Sequence, residues 1–368
     1  MPWLADFLAH PSRDQFWRQL VPSRDLDRVT VPALHIGGWY DLFLAQGLRS
    51  YERLRDSHAS GGPAGVQHLI IGPWSHTMGD ITQFPERRFG LSAGSLTADL
   101  TSAHIRFFDE AIRGRPADAP GADQPVRIYV MGAEEWRDEQ SWPPAGVSTE
   151  QYYLGADGRA NTASGGGTLS TQLQSTEGSD SFLYDPRRPV PTVGGMTVGM
   201  SEMYPAGSAD QSLVESREDV LCFTSAELTE PVEVIGNVTL TLFVSSSAPD
   251  TDFTGKLVDV YPDGRAILLC DGIQRMRYRR GLDDPVLMRQ AEVYEITLGL
   301  VTTANRFLPG HRIRVEVSSS NFPRYDRNSN TGGAIVTESA DDMVSAVNTV
   351  LHGPVRGSRL TLPVSALR

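Results

Sequence analysis

The stretch Ile70–Thr77 reads IIGPWSHT and places a histidine directly behind a short, strongly apolar segment. The residues Leu69–Ile71 are typical of a strand that is covered on both faces, and Gly72–Pro73 predicts that the strand ends abruptly. His76 is therefore predicted to lie on a loop at the carboxyl end of a strand. Ligands of open α/β sheets bind at that edge, because loops converge there over a rigid sheet.

The same pattern occurs upstream of this stretch. Val31–Ile36 is predicted to be a strand that ends at Gly37–Gly38, and Leu42–Arg55 is predicted to be a helix. Leu100–Ile112 is predicted to be a second helix, with one apolar face formed by Ile105, Phe108, Ala111 and Ile112. Alternating strands and helices predict a parallel sheet with helices on its faces.

From about Pro125 onward, apolar residues recur with a period of two, and turn residues separate the apolar segments. The turn Pro262–Gly264 is typical of a hairpin. One further helix is predicted over Ser339–Leu351. We predict an antiparallel β-sandwich of the jelly-roll type here, so the fold class is α/β followed by all-β. The predicted segments are a helical piece (1–30), the parallel sheet (31–120) and the sandwich (121–368).

Composition restricts the classes of partner and the compartment. The 368 residues suit two domains. Lys and Arg number 33 against 45 Asp and Glu, which argues against nucleic acid or an anionic membrane as a partner. Cys222 and Cys270 lie in apolar segments and are predicted to be buried free thiols. Together with the absence of a long apolar stretch or a signal-peptide pattern, this predicts a cytoplasmic protein.

Asp41 follows the first predicted strand as His76 follows the second. A carboxylate that accepts a hydrogen bond from one imidazole nitrogen fixes the tautomer, so that the other nitrogen can take a proton from a nucleophile. Taken singly, Asp41 is better interpreted as a loop or capping aspartate, and His76 could equally be a structural histidine at the surface or in the core. Taken together, they are our candidate catalytic pair. The candidate substrate-binding residues are aromatic, with core filling as the alternative: Trp39, Tyr40, Phe43 and Trp74.

A nucleophile for this pair is not evident in the sequence. Gly90–Gly94 reads GLSAG and fits the Gly-x-Ser-x-Gly pattern, but no buried strand precedes it, so we interpret Ser92 as a chance match. Ser12 and Ser23, which precede Asp41, lie in polar loop contexts. The sequence therefore provides an acid and a base with no serine for them to activate.

These residues resemble the CocE/NonD family of serine hydrolases, which includes esterases, acylases and X-Pro dipeptidyl-peptidases of the S15 type. The likeness covers essentially the whole chain and is greatest to the cocaine esterase-like branch. The matching motifs are His10–Pro11 with Asp14 and Trp17, Val31–Asp41, Gly72–His76, Phe89–Gly90, Leu183–Pro186, Asp250–Phe253, Lys256–Gly264 and Ser318–Asp326.

The resemblance implies the C-terminal part of an α/β-hydrolase fold followed by a jelly-roll β-sandwich, with residues 1–30 as the end of a helical cap. It makes Asp41 and His76 the acid and base of a Ser-His-Asp triad. The family's serine and oxyanion-hole donors lie upstream of the cap. We therefore expect this chain to lack them and to be inactive alone.

The expected substrate is a small ester or amide, and the expected protein partner is either the missing N-terminal half or a second copy of the chain. We predict no cofactor and no metal. Mixed Asp and Arg residues at Asp250, Asp252 and 324–327 are expected to form a paired hydrogen-bond network instead. The alternative hypothesis is a non-catalytic β-sandwich that serves as a binding or interaction module.

Overall fold

The computed structural model describes residues 2–62, 65–76, 84, 86–94, 98–113, 124–198 and 205–367. Its α-helices are α1 (Pro2–Ala9), α2 (Gln15–Leu20), α3 (Leu44–Ala59) and α4 (Leu100–Arg113). Its strands are β1 (Ala33–Tyr40), β2 (Gln67–Ser75), β3 (Val126–Val130), β4 (Glu135–Glu139), β5 (Ser148–Ala156), β6 (Gly167–Ser170), β7 (Gly178–Tyr184), β8 (Leu221–Ser225), β9 (Val232–Ser246), β10 (Asp252–Val260), β11 (Ala266–Arg275), β12 (Tyr294–Phe307), β13 (Arg312–Ser318), β14 (Ala346–His352) and β15 (Arg359–Ser365). Short 3₁₀ helices lie at Pro22–Arg28, Leu91–Ala93, Met276–Tyr278 and Ile335–Thr337.

The smaller sheet has four strands in the order β1-β2-β3-β4. β1, β2 and β3 are parallel and β4 is antiparallel. α3 connects β1 to β2 and buries its apolar side, which includes Leu48 and Tyr51. The predicted alternation of strand and helix is confirmed in this part of the chain.

Both predicted strands continue beyond the glycines at which we expected them to end. β1 includes Gly37–Gly38, and β2 includes Gly72–Pro73. Gly38 allows a close approach, because a Cβ atom there would lie 2.2 Å from the Trp74 carbonyl oxygen. Between the pairs Gly38↔Gly72 and Tyr40↔Ser75, β2 has one residue more than β1. Pro73 lies in this bulge, where a strand tolerates the missing N–H group.

Helix α4 forms where it was predicted, but its apolar face is not packed against the described residues. Ile105, Phe108 and Ile112 are 58%, 53% and 76% exposed. Among the described side chains of α4, none is buried. The N-terminal helical piece also forms as predicted and contacts the loop after β11, where the Tyr278 hydroxyl donates to the Pro11 carbonyl at 2.7 Å.

The larger sheet contains eleven strands in the order β11-β10-β13-β8-β6-β5-β15-β9-β14-β7, with β12 paired to β9. The predicted hairpin turn joins β10 to β11, and Gly264 has the positive φ of 92° that this turn needs. The helix predicted over Ser339–Leu351 is wrong. Ala346–His352 is strand β14, whose alternate residues are buried between its neighbours β7 and β9.

β3 and β4 belong to the smaller sheet, although the predicted segments assigned them to the sandwich. A period of two predicts a strand, but it does not say which sheet the strand joins. The predicted boundary at 120/121 itself lies outside the described residues. β3 leads directly into the larger sheet, because Met131 donates to the Ala304 carbonyl at 3.0 Å and accepts from Arg306 at 2.7 Å. One apolar core spans both sheets.

Cys222 and Cys270 are both buried and free, as predicted. In the described part of the chain, none of the helices has the length and apolar character needed to cross a membrane. The architecture is therefore two mixed sheets with few helices.

Candidate active site

The structure brings Asp41 and His76 together. β1 ends at Tyr40 and its parallel neighbour β2 ends at Ser75, so the next residue of each strand lies at the same edge of the sheet. His76 Nδ1 lies 3.2 Å from Asp41 Oδ1 and 3.4 Å from Asp41 Oδ2. This is the geometry in which a carboxylate holds Nδ1–H and leaves Nε2 able to accept a proton.

The turn after β1 fixes the carboxylate. The Phe43 N–H donates to Asp41 Oδ1 at 2.8 Å, and the Asp41 N–H donates to the Gly38 carbonyl at 3.0 Å. The Leu44 N–H donates to the Asp41 carbonyl at 3.0 Å and thereby begins α3. The acid is therefore positioned by backbone groups of a strand end and a helix start. Such rigid elements hold a reacting group more accurately than a free loop does.

Of the predicted aromatic residues, Phe43 lies beside the Asp41–His76 pair. Its ring packs edge-on against the His76 imidazole with centroids 5.0 Å apart, and 59% of the residue is exposed. A half-exposed ring beside the base provides an apolar surface for an acyl or amine group.

Trp39, Tyr40 and Trp74 are buried, so their contact with a substrate stays a prediction. The Trp39 indole N–H donates to the Tyr129 carbonyl at 2.7 Å, and the Trp74 indole N–H donates to the Ala93 carbonyl at 2.7 Å. Tyr40 and Ser208 share a hydrogen bond between their hydroxyl groups, and burial raises the pKa of the Tyr40 phenol well above its usual range. In this structure the three rings join the smaller sheet to its neighbours.

A cavity of about 440 Å³ lies next to the site, with Leu42 in its wall. Its other walls come from the larger sheet and its loops and include Met196, Val198, Arg324 and Tyr325. Sequence reasoning missed this wall, because its residues lie far along the chain from Asp41. The only signal was the motif Ser318–Asp326, whose contact with the site is not visible in the sequence.

The Arg324 guanidinium in this wall is held by the buried Asp271 carboxylate and lies 4.8 Å from the centre of the Tyr325 ring. Asp271 also accepts from the Asn321 side chain at 2.9 Å. Burial acts to lower the pKa of Arg324, but Asp271, and next Tyr325, raise it above its usual range, so the guanidinium stays protonated in its pair with Asp271. The wall therefore presents a guanidinium held in an ion pair and an aromatic face.

Asp250 and Asp252 belong to a paired hydrogen-bond network, as predicted, but not with the predicted arginines, because Arg324 pairs with Asp271 and Arg327 donates to the Pro186 carbonyl. Arg275 donates to both oxygens of Asp252 at 3.0 Å, and Arg277 donates to Asp250 at 2.7 Å. Asn328 donates to both carboxylates, at 2.8 and 2.9 Å. The two arginines were not identified from the sequence. Among the described residues, no three His, Cys, Asp or Glu side chains are grouped as they would be around a metal ion.

Ser92 lies on the 3₁₀ turn Leu91–Ala93, which does not follow a strand. Its carbonyl accepts from the Trp136 indole at 2.8 Å. The local structure is thus not the strand, sharp turn and helix that present a nucleophilic serine. The Ser12 hydroxyl lies 3.4 Å from the Tyr278 hydroxyl, and the Ser23 side chain lies outside the described part of the chain.

Residues 1–78, which include both Asp41 and His76, match the family model described as X-Pro dipeptidyl-peptidase (S15 family). Residues 120–361 match the model described as the X-Pro dipeptidyl-peptidase C-terminal non-catalytic domain. Cocaine esterase of Rhodococcus sp. (strain MB1 Bresler) is 46% identical over 366 residues, which are 99% of this chain. The chain belongs to the CocE/NonD family of serine hydrolases. The predicted family is confirmed, and its named members are hydrolases.

Solved structures related to this CocE/NonD chain include an aminopeptidase from the marine sediment archaeon Thaumarchaeota archaeon, with a TM-score of 0.86 and 28% identity. A selenomethionine-labelled α-amino acid ester hydrolase has a TM-score of 0.85 and 28% identity. Each match covers 99% of this chain, but only 60% and 61% of those two chains. This chain likewise spans 62% of the length of the Rhodococcus cocaine esterase.

Proposed function

We propose that this chain supplies the acid and the base of a Ser-His-Asp site that hydrolyses small esters or amides by acyl transfer. The observation that carries the proposal is the 3.2 Å contact between His76 Nδ1 and Asp41 Oδ1 at neighbouring strand ends. Asp41 fixes the tautomer and stabilises the imidazolium. His76 Nε2 accepts the proton of the serine hydroxyl and later returns it to the leaving group.

The nucleophile in this proposal is a serine from outside residues 1–368. Attack by its hydroxyl oxygen forms an acyl-enzyme, which water then hydrolyses with His76 again acting as base. Support comes from the relatives, whose chains are longer than this one. Without the serine there is no covalent step, and each absent oxyanion donor costs a further factor of about 10²–10³ in rate. The chain alone is therefore expected to show negligible hydrolysis.

The smaller sheet is, in this proposal, the C-terminal part of an α/β-hydrolase sheet, and the larger sheet is a jelly roll. β1 supports this because, among the described strands, only β2 pairs with it, which leaves one edge open. Val31 and Ile36 are exposed beside that edge. An open edge with apolar neighbours is a surface on which another strand can pair. The expected partner is the remainder of the sheet, with a second copy of this chain as the alternative.

The substrate in this proposal is a small ester or amide whose acyl or amine group lies between Phe43 and the cavity beside Leu42. The cavity of about 440 Å³ suits a small molecule. Its mixed wall, apolar at Met196 and Val198 and cationic at Arg324, favours a group with an aromatic or apolar body. Aryl esters are therefore the first substrates to test, and Xaa-Pro arylamides the second.

The test is co-expression of this chain with the polypeptide encoded directly upstream of it, followed by assays of 4-nitrophenyl acetate and Gly-Pro-4-nitroanilide hydrolysis. We expect activity from the pair and none from either part. His76→Ala should abolish it, whereas His104→Ala, which changes an exposed histidine on α4, should not. A fluorophosphonate probe should label the upstream polypeptide. Stoichiometric labelling of Ser92, or of any other serine in this chain, would contradict the proposal.

A second candidate function is a non-catalytic interaction module. The observation that favours it is the match of residues 120–361 to a domain described as non-catalytic. The same co-expression separates the two functions. A complex that forms without hydrolysis, and that His76→Ala leaves unchanged, supports the module, whereas hydrolysis that depends on His76 supports the enzyme.

A further inference from the structure

A second cavity, of about 270 Å³, lies between helix α3 and the larger sheet. One wall is the helix face formed by Ala45, Leu48, Arg49 and Glu52. These positions are spaced three and four residues apart, so their side chains project from one side of the helix. The mechanism proposed above uses none of them.

The charged groups in this wall are the exposed Arg49 and the half-buried Glu52. Neither Arg49 nor Glu52 forms an ion pair within 4.0 Å or a side-chain hydrogen bond with a described residue. Burial is the largest effect on the Glu52 carboxyl and raises its pKa, whereas Arg55, and after it Arg49, act to lower that pKa. The neighbouring guanidinium groups do not offset the burial, so a further cation at Glu52 would relieve part of its cost.

The opposite wall is a bulge of the larger sheet. Between the pairs Gly299↔Thr239 and Thr302↔Asn237, β12 has one residue more than β9. Val301 lies in this bulge with a φ of 67°, a region that a β-branched residue rarely adopts. Backbone strain of this kind persists only where the surroundings impose it, and it concentrates at ligand sites.

The bulge is held from the core side. Leu300 is fully buried and packs across Gly255 and Gly272, where added Cβ atoms would lie 2.9 Å from its side chain and 3.3 Å from its Cα atom. Gly299 faces open space, since a Cβ atom there would have no neighbour within 4 Å. The cavity therefore lies between a wall of the larger sheet, which includes Asn237, Thr239 and Val301, and a charged helical wall.

We propose that this cavity binds a small zwitterion of the α-amino acid class, with its carboxylate on Arg49 and its ammonium group on Glu52. A guanidinium binds a carboxylate in a bidentate manner, and a carboxylate accepts hydrogen bonds from an ammonium group. Residues three apart on a helix have Cβ atoms about 5–6 Å apart, which matches two adjacent charges of opposite sign. The volume corresponds to about nine waters at ~30 Å³ each, enough for an amino acid with a branched apolar side chain against Leu48 and Val301.

The experiment is isothermal titration calorimetry of the full chain with L-leucine. Two analogues test the charges: 4-methylpentanoate lacks the ammonium group, and 3-methylbutylamine lacks the carboxylate. We expect saturable binding of one L-leucine per chain, with each analogue at least about tenfold weaker. This result does not depend on hydrolysis, because the assay contains no ester and this chain needs no partner for it.

Three variants locate the site. Arg49→Gln and Glu52→Gln should each weaken L-leucine binding by about tenfold or more. Gly299→Val should block the cavity without changing a charge. Arg289→Gln is the matched control, because it neutralises a guanidinium with an 88% exposed side chain outside the cavity. No saturable binding up to about 10 mM, equal binding of the analogues by the wild-type chain, or binding that all three variants retain would overturn the proposal.

Discussion

Helix α4, beside the smaller sheet, buries none of its described side chains, whereas strand β10 of the larger sheet buries all nine of its residues. Strand β10 is thus covered completely by other parts of this chain. The smaller sheet leaves an apolar helix face and one strand edge uncovered. Asp41 and His76 lie in this less self-sufficient part. The proposed catalytic pair therefore lies in the part of the chain that has an uncovered strand edge and helix face.

Ion pairs also differ in burial, since a pair in the larger sheet is more buried than one beside the smaller sheet. In the larger sheet, the side chains of Asp250 and Arg277 are 0% and 14% exposed. Beside the smaller sheet, those of Asp27 and Arg53 are 66% and 41% exposed. Water screens the second pair and not the first, so the loss of one partner should have very different consequences.

The largest expected effect is on catalysis. In the reconstituted pair of polypeptides, Asp41→Asn should lower kcat for 4-nitrophenyl acetate by about 10⁴-fold, because an amide no longer holds the Nδ1–H tautomer of His76. The matched control is Asp138→Asn, which changes a partly exposed aspartate on β4 and should leave kcat unchanged. If the two variants retained equal activity, Asp41 would have no part in the reaction.

The next largest effect is on stability and compares the two ion pairs directly. Asp250→Ala leaves Arg277 buried without its carboxylate and should lower the free energy of unfolding by about 3–5 kcal/mol. Asp27→Ala breaks the exposed pair with Arg53 and should leave the free energy of unfolding almost unchanged, because water screens this pair. Urea unfolding followed by circular dichroism measures both values. Similar costs for the two substitutions would mean that the sheets do not differ in this respect.

The buried Glu215 carboxyl group, which belongs to the part of the chain around the larger sheet, should make stability depend on pH. Burial, and next the charge of Glu316, raise its pKa from 4.5 to about 8. Between these values the folded chain holds a proton that the unfolded chain has released. The free energy of unfolding should therefore fall as pH rises from about 5 to about 8, by at most about 1.4 kcal/mol per pH unit.

Glu215→Gln removes this titration, so its stability should fall less steeply than that of the wild-type chain over the same window. The matched control is Glu218→Gln, because the Glu218 side chain is 75% exposed in its pair with Arg159. The measurement is urea unfolding at a series of pH values. Parallel curves for wild type and Glu215→Gln would contradict the assignment of the effect to this carboxyl group.

The smallest expected effect concerns the uncovered face of α4. Phe108→Ser should change the free energy of unfolding of this chain by less than about 0.5 kcal/mol, because the ring is already half exposed. The same substitution should weaken assembly with the upstream polypeptide if that polypeptide covers the helix. Size-exclusion chromatography of the co-expressed pair measures assembly. Wild-type assembly by the variant would exclude this face from the interface.

Much of the fold follows from local patterns in the sequence. The strand and helix around Asp41 were predictable because hydrophobic periodicity is a property of neighbouring residues. The continuation of β1 through Gly37–Gly38 was not, because Gly38 is needed for the approach of Trp74 from another strand. β14 was mistaken for a helix, because the strands with which it pairs, β7 and β9, lie far from it along the chain.

The candidate site likewise contains residues that could be predicted from the sequence and residues that could not. Asp41 and His76 could be paired from the sequence, because each follows a predicted strand and parallel neighbours end at one edge. The cavity wall that contains Arg324, and the partners Arg275 and Arg277 of the buried aspartates, depend on contacts between distant segments. No local pattern distinguishes such arginines from solvated ones.

The extra residue in β2 constrains how many residues can separate Gly72 from His76. Trp74 packs its indole over Gly72, where an added Cβ would lie 2.3 Å from the ring. The Trp74 ring is thus anchored, and His76 follows it two residues later in the chain. A shortening or lengthening by a single codon between Gly72 and His76 would turn the imidazole to the opposite face of the strand. We therefore expect the segment from Gly72 to His76 to tolerate substitutions during evolution more readily than insertions or deletions.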